Sequence, residues 1–143
     1  MSPENQPLTF TQFINAEPRQ AYRAFTRSLA FRQWLCDSAQ ADPRPGGRLY
    51  LWWLSGYFTC GEFTHLERHK RVTFTWFGKG EPGPTEVRVT FTPQDDGTLV
   101  RLVHDGSGPG EEWAETRSQF QKGWDISLGN LVGSNVFNIL KFY

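Results

Sequence analysis

The chain is short of most features that announce a function. It holds two cysteines, Cys36 and Cys60, and one methionine. Cysteines so placed form no metal-binding pair and no disulfide-dense framework, and the opening MSPENQP is a polar lead-in rather than a signal peptide. The expectation is a cytoplasmic protein with both thiols reduced. No run approaches the roughly 18 apolar residues of a membrane span. Charge of either sign is not in excess: 15 Lys and Arg balance 15 Asp and Glu, and the isoelectric point is near 6.8. With no long basic run, this balance argues against nucleic acid or an anionic membrane as the main partner. Catalytic motifs are missing too, among them a phosphate-cradling glycine loop, HExxH and a cysteine pair at metal spacing. His65 and His69 stand four apart, which suits a metal only on a helix, and here they fall at a strand end and a turn. Neither a metal nor a cofactor is expected.

Aromatic side chains are what the chain has in abundance. Twelve Phe, six Trp and four Tyr make up 15% of 143 residues. That exceeds what closing a small core requires, and implies either a crowded core or an aromatic-lined cavity. The length suits one domain over 1–143, with a core of about 8–131 and an apolar tail over 132–143.

The most organised stretch is 111–131, EEWAETRSQFQKGWDISLGNL. At helical spacing Trp113, Phe120, Trp124, Leu128 and Leu131 fall on one side. Glu111, Glu112 and Glu115 lie near its first turns, where the helix dipole favours negative charge. Upstream the chain reads mainly as strand. Residues 8–15 form a first strand. Pro18 opens a short helix over 18–26, and Phe31, Trp34 and Leu35 imply a second. The run 42–47, DPRPGG, ends helical structure. Strands then follow at 48–54, 57–66, 71–77, 85–92 and 98–105. The 85–92 segment alternates most cleanly, with Val87, Val89 and Phe91 inward. Hairpin-type connections make these five strands antiparallel neighbours. The element order is β-α-α-β-β-β-β-β-α: an α+β chain with a six-stranded antiparallel sheet covered on one face by a long C-terminal helix. The tail either extends that helix or packs across a partner subunit, which makes a homodimer plausible.

Several segments together resemble a known family. They are Ala16-Glu17-Pro18 with Tyr22 and Phe25, then Phe31 and Trp34, then Pro45-Gly46-Gly47-Arg48. Gly61 opens a Gly-x-Phe pattern, followed by 71–76 (RVTFTW), Thr98 to His104, and Gly123-Trp124 with Leu128 and Leu131. In order and spacing they are similar to the helix-grip fold of the birch-pollen-allergen and START-like superfamily (SRPBCC). Within it they resemble the group named after the C-terminal domain of the activator of heat-shock protein 90 ATPase. The resemblance implies a curved sheet gripping the long helix and a cavity between them for apolar or aromatic small molecules. It implies no shared catalytic residues, and the group's name carries no chaperone activity by itself.

The inward phases of strands and helix supply a lining for such a cavity: Tyr50, Trp52, Phe74, Trp76, Val89, Phe91, Leu102, His104, Phe120, Trp124 and Leu128. Trp52 and Trp53 are sequential, so at most one of them faces it. Tyr50 would offer a hydroxyl to orient a ligand, or would merely reach water. His104, beside Asp105, would serve as hydrogen-bond partner or general base at a cavity mouth, or would simply be bonded within the strand end. Glu62 would be a buried acid if inward, but the strand phase favours Phe63 there, and Cys60 reads as a small core residue. The expected function is binding of a small hydrophobic molecule. The alternatives are a cyclase- or hydrolase-like enzyme using His104 with Tyr50 or Glu62, and a chaperone partner.

Overall fold

The computed structural model describes residues 6–134 and 136–139, with side chains for all of these but the last two. Strand β1 (Leu8–Ile14) leads into two short helices, α1 (Pro18–Ala24) and α2 (Ser28–Trp34). Then come β2 (Ser38–Ala41), β3 (Arg48–Trp52), β4 (Phe58–Glu67), β5 (Arg71–Gly78), β6 (Thr85–Gln94) and β7 (Gly97–Asp105). The long helix α3 (Glu111–Gly133) and a short α4 (Val136–Ile139) complete the chain. The strands form one open antiparallel sheet in the order β1-β7-β6-β5-β4-β3-β2.

This sheet has seven strands where the sequence pattern implies six. The additional one is β2, Ser-Ala-Gln-Ala, which has no large apolar residue to reveal it. It is a strand because β3 offers unpaired backbone groups, which it takes by setting Ala39 opposite Leu51 and Gln40 opposite Tyr50. An edge strand this short leaves little template for another chain to pair with.

The inner face follows the alternation of the strands. Val72 and Phe74 of β5, Val87 and Val89 of β6, and Leu102 of β7 are fully buried. They register across the sheet, Phe74 opposite Val87 and Val89 opposite Leu102. On β4, Phe63 faces in and Glu62 is exposed. A bulge follows Phe63: it pairs with Phe74, while His65 pairs with Thr73, so Thr64 is an extra residue and the strand bends. On β3 the inward residues are Leu49 and Leu51. Cys60 is exposed and not a core residue, because β4 carries it on the outer face opposite Tyr50. Cys36 is the buried thiol, and burial pushes its pKa up to about 12.

Helix α3 lies on this inner face. Trp113, Thr116, Phe120, Trp124, Leu128 and Leu131 are its buried residues, which include the whole apolar stripe legible in the sequence. Each large apolar side chain so placed contributes about 1.5–3 kcal/mol. That outweighs the roughly 1 kcal/mol that an internal glycine costs a helix, so α3 runs unbroken through Gly123 and Gly129. Arg117 anchors its first half by donating to the Ser107 hydroxyl at 2.7 Å. Past α3 the apolar tail turns back onto its own chain. Val136 is fully buried, Phe137 packs on the core, and Gln20 of α1 donates to the Phe137 carbonyl at 3.4 Å. The rest of that tail, 135 and 140–143, lies outside the described residues.

Candidate functional site

Helix and sheet do not close completely. Between them lies a cavity of about 390 Å³. Trp76 of β5 forms one wall. Trp53, just past β3, and Tyr57, just before β4, form a second wall with Leu35 behind α2. The third is one face of α3, with Gln119, Phe120, Gly123, Trp124 and Ser127, and Glu81 from the β5–β6 loop completes the lining. Gln119 and Gly123 are exposed and mark the mouth.

The spacing of α3 explains its contribution. Residues 120, 124 and 127 recur at the helical period and face the sheet, while 119 and 123 flank them on the solvent side. Gly123 has nothing within 4 Å of where a Cβ would stand, so it keeps the mouth open and does not relieve a clash. The β3–β4 turn explains the second wall. Trp53 accepts from the Gly56 amide and donates its own amide to the Tyr57 carbonyl at 2.9 Å, which brings the two rings to 5.0 Å.

The indoles that line this space have their N–H groups engaged within the protein. Trp53 donates to the Leu35 carbonyl at 2.8 Å, Trp76 to the Tyr57 hydroxyl at 3.0 Å, and Trp124 to Nδ1 of His104 at 3.0 Å. No free indole donor is therefore left for a guest. Trp76 stands at 6.2 Å from Trp53, 5.5 Å from Trp124 and 6.5 Å from Phe120, a continuous aromatic wall.

One polar chain reaches the lining. The Trp76 indole donates to the Tyr57 hydroxyl, which donates to Oε2 of Glu81 in a short hydrogen bond. The Gly78 amide donates to Oε1 of Glu81 at 2.7 Å. A Cβ at Gly78 would overlap the Tyr57 hydroxyl and the Glu81 carboxylate, so a larger residue there would push this pair apart. Burial first, and then the hydrogen bond to Glu81, push the Tyr57 phenol well above its ordinary pKa, so it stays a donor at any working pH.

A second polar chain lies behind the wall. His104 is 2% exposed and uses both ring nitrogens. Nδ1 accepts from Trp124, whose indole can only donate, so Nε2 carries the proton and donates to the Thr85 hydroxyl at 2.7 Å. Thr85 in turn donates to the Trp76 carbonyl at 3.2 Å. Burial lowers the His104 pKa to about 3, against a weaker upward pull from Asp105. The imidazole is a neutral connector, stacked on Phe120 at 4.0 Å. With both nitrogens engaged, it offers nothing to a guest.

The structure sorts the residues expected from sequence into groups. Trp76, Phe120 and Trp124 line the cavity. Phe74, Val89, Phe91, Leu102 and Leu128 belong to the packed core beyond it, and His104 lies behind its wall. Tyr50 and Trp52 do not reach it. They occupy the outer face of β3, where Tyr50 stacks on Phe58, because Leu49 and Leu51 take the inward phase. Of the two sequential tryptophans it is Trp53 that faces the cavity. Tyr57 opened the strand expected over 57–66, which in the structure begins at Phe58, while Glu81 lies in a loop and Gly123 has no side chain, so neither of these two carried a periodic signal. A single acid in the otherwise Gly/Pro/Lys loop 78–84 was the one visible hint for Glu81. His65 bonds Arg71 at 2.7 Å and His69 packs on Tyr22, and among the described residues no group of three His, Cys, Asp or Glu is placed to hold a metal. Among them, too, no helix is long and apolar enough to cross a membrane.

No curated protein matches the chain in sequence. Solved structures match its fold. Protein MLL2253 from Mesorhizobium loti superposes with a TM-score of 0.79 at 22% identity, over 90% of this chain and 95% of that one. Protein NE0264 from Nitrosomonas europaea does so at 0.77 and 18% identity, over 100% of both chains. DynU16, a protein from the dynemicin biosynthetic locus, matches at 0.75 and 23% identity, over 89% of this chain and 46% of its own. These likenesses concern the fold. The family model described as activator of Hsp90 ATPase homolog 1-like protein matches residues 15–133, and the chain belongs to that family.

Proposed function

We propose that the protein binds a small hydrophobic or aromatic molecule in the space between its sheet and α3. The observation that carries this reading is the cavity of about 390 Å³ walled by Trp53, Tyr57, Trp76, Phe120 and Trp124. Cavities of this size, mostly apolar with few polar groups, are the usual form of a small-molecule site. The fold match to a protein of an antibiotic biosynthetic locus agrees with it. The same reading takes the chain as a single domain working in the cytoplasm. A reaction run by His104 finds no support, since both its nitrogens are occupied inside the protein. A chaperone-partner role draws on the family name and gains nothing from the cavity.

The test uses the walls as reporters. Titration with a panel of neutral arenes and long-chain alcohols should change tryptophan emission saturably. Gly123→Trp, which places an indole at the mouth, should abolish the response. A flat response of the unaltered protein across the whole panel overturns the reading.

A further inference from the structure

The cavity lining contains one charged side chain. Among the ten residues around it, Glu81 alone carries charge, and no Lys or Arg is among them. Among the described residues Glu81 also takes part in no ion pair. The carboxylate is held by two donors, the Tyr57 hydroxyl and the Gly78 amide. Two carboxylate oxygens have about four lone-pair sites, so acceptor capacity remains.

The surroundings of that carboxylate favour one sign of charge. The indoles of Trp53, Trp76 and Trp124 have their N–H groups engaged within the protein and offer none to an anion, while the aromatic rings around the space favour a cation over an anion. Any guest carboxylate would meet Glu81 with no positive group in the lining to offset it, which is discrimination by repulsion. A guest ammonium would meet both the aromatic rings and an anion already positioned by two fixed donors.

We propose that the site selects aromatic molecules bearing a protonated amine, with Glu81 as the residue that receives the ammonium, and rejects aromatic carboxylates of the same shape. This rests on the apolar-cavity reading above and adds to it the charge of the ligand. Tyr57 is a positioning residue: it orients Glu81 and is itself oriented by the Trp76 indole.

Three probes that share one ring system separate the two readings: 2-naphthylmethylamine, 2-naphthylmethanol and 2-naphthoate, titrated calorimetrically at pH 7. The expected order is amine, then alcohol, then carboxylate, with the amine about tenfold or more tighter than the carboxylate. In Glu81→Gln the amine should fall to within about threefold of the alcohol, while the affinity for the alcohol stays the same. Tyr57→Phe keeps the carboxylate but removes one of the two donors that hold it, and should shrink the amine preference without abolishing it. Added salt should weaken the amine and leave the alcohol unchanged. Binding of the alcohol without preference for the amine overturns the charge selection and leaves the apolar cavity standing. An amine preference that survives Glu81→Gln overturns the role of Glu81. Binding of none of the three overturns both readings.

Discussion

Trp76 has a hydrogen-bonded chain on each side, and the two differ in how they end. Behind the ring, Trp124, His104 and Thr85 run in sequence and close on the Trp76 carbonyl. Every donor there finds an acceptor from the protein, and the space around them is packed. On the other side, the Trp76 indole, Tyr57 and Gly78 all donate towards Glu81, and that chain stops at a carboxylate on a cavity wall. A closed chain in a dry interior gives rigidity, because each member would be costly to leave unpaired. An open chain at a cavity keeps acceptor capacity for something else. The comparison teaches that a buried histidine is not made functional by being inward, and that a loop acid is not made idle by lacking periodicity.

Breaking the closed chain should have the largest effect. His104→Ala leaves the Trp124 indole and the Thr85 hydroxyl short of a partner and empties space against Phe120. A stability loss of about 3–5 kcal/mol is expected, read from denaturant unfolding. Acid sharpens the same point. An unfolded histidine titrates near 6.5, whereas His104 in the fold titrates at about 3. Below pH 6.5 the unfolded chain takes up a proton that the folded chain refuses, so stability falls as pH drops towards 3. From pH 7.5 to 5 the His104 contribution should fall by about 2 kcal/mol, and unfolding midpoints of His104→Ala should lack that part of the slope.

The open chain should be more forgiving. Tyr57→Phe strips a partner from the Trp76 indole and from Glu81, but water can enter from the cavity. A loss of about 1–2 kcal/mol is expected, smaller than that of His104→Ala in the same unfolding assay. Gly123→Ala tests the opening between the two regions. The added methyl meets no atom, so the helix should gain about 1 kcal/mol, visible as a higher melting temperature, while the narrower mouth slows ligand entry in stopped-flow traces. Tyr50→Ala is the small end of the series. On the outer face it should change stability by less than about 1 kcal/mol and leave binding of neutral arenes unaltered.

How far these regions can be read from sequence depends on whether a residue's position obeys a period. Val87, Val89 and Phe91 alternate, and Trp113, Phe120, Trp124, Leu128 and Leu131 recur at the helical repeat, so the sheet face and the helix stripe were legible, and with the family resemblance so was the architecture. On β3 the pattern misled. In Arg-Leu-Tyr-Leu-Trp both phases are apolar, and size favoured Tyr50 and Trp52 where the structure buries Leu49 and Leu51. The short β2 escaped because its residues are small or polar and its strand character comes from β3. The apolar tail was open to extending α3 or packing across a partner subunit; of its described residues, Val136 and Phe137 pack on the chain's own core.

By itself the sequence determined an α+β chain, its long amphipathic helix, and the presence of more ring surface than a small core requires. Periodicity is a local property, set by how a backbone repeats, and it was enough for these. Only the tertiary structure decided that the surplus rings border a hollow and that His104 is sealed behind one of them. It also brought Glu81 from a loop to the lining. Each of these depends on segments distant in the chain meeting at hydrogen-bonding range, which no local repeat encodes.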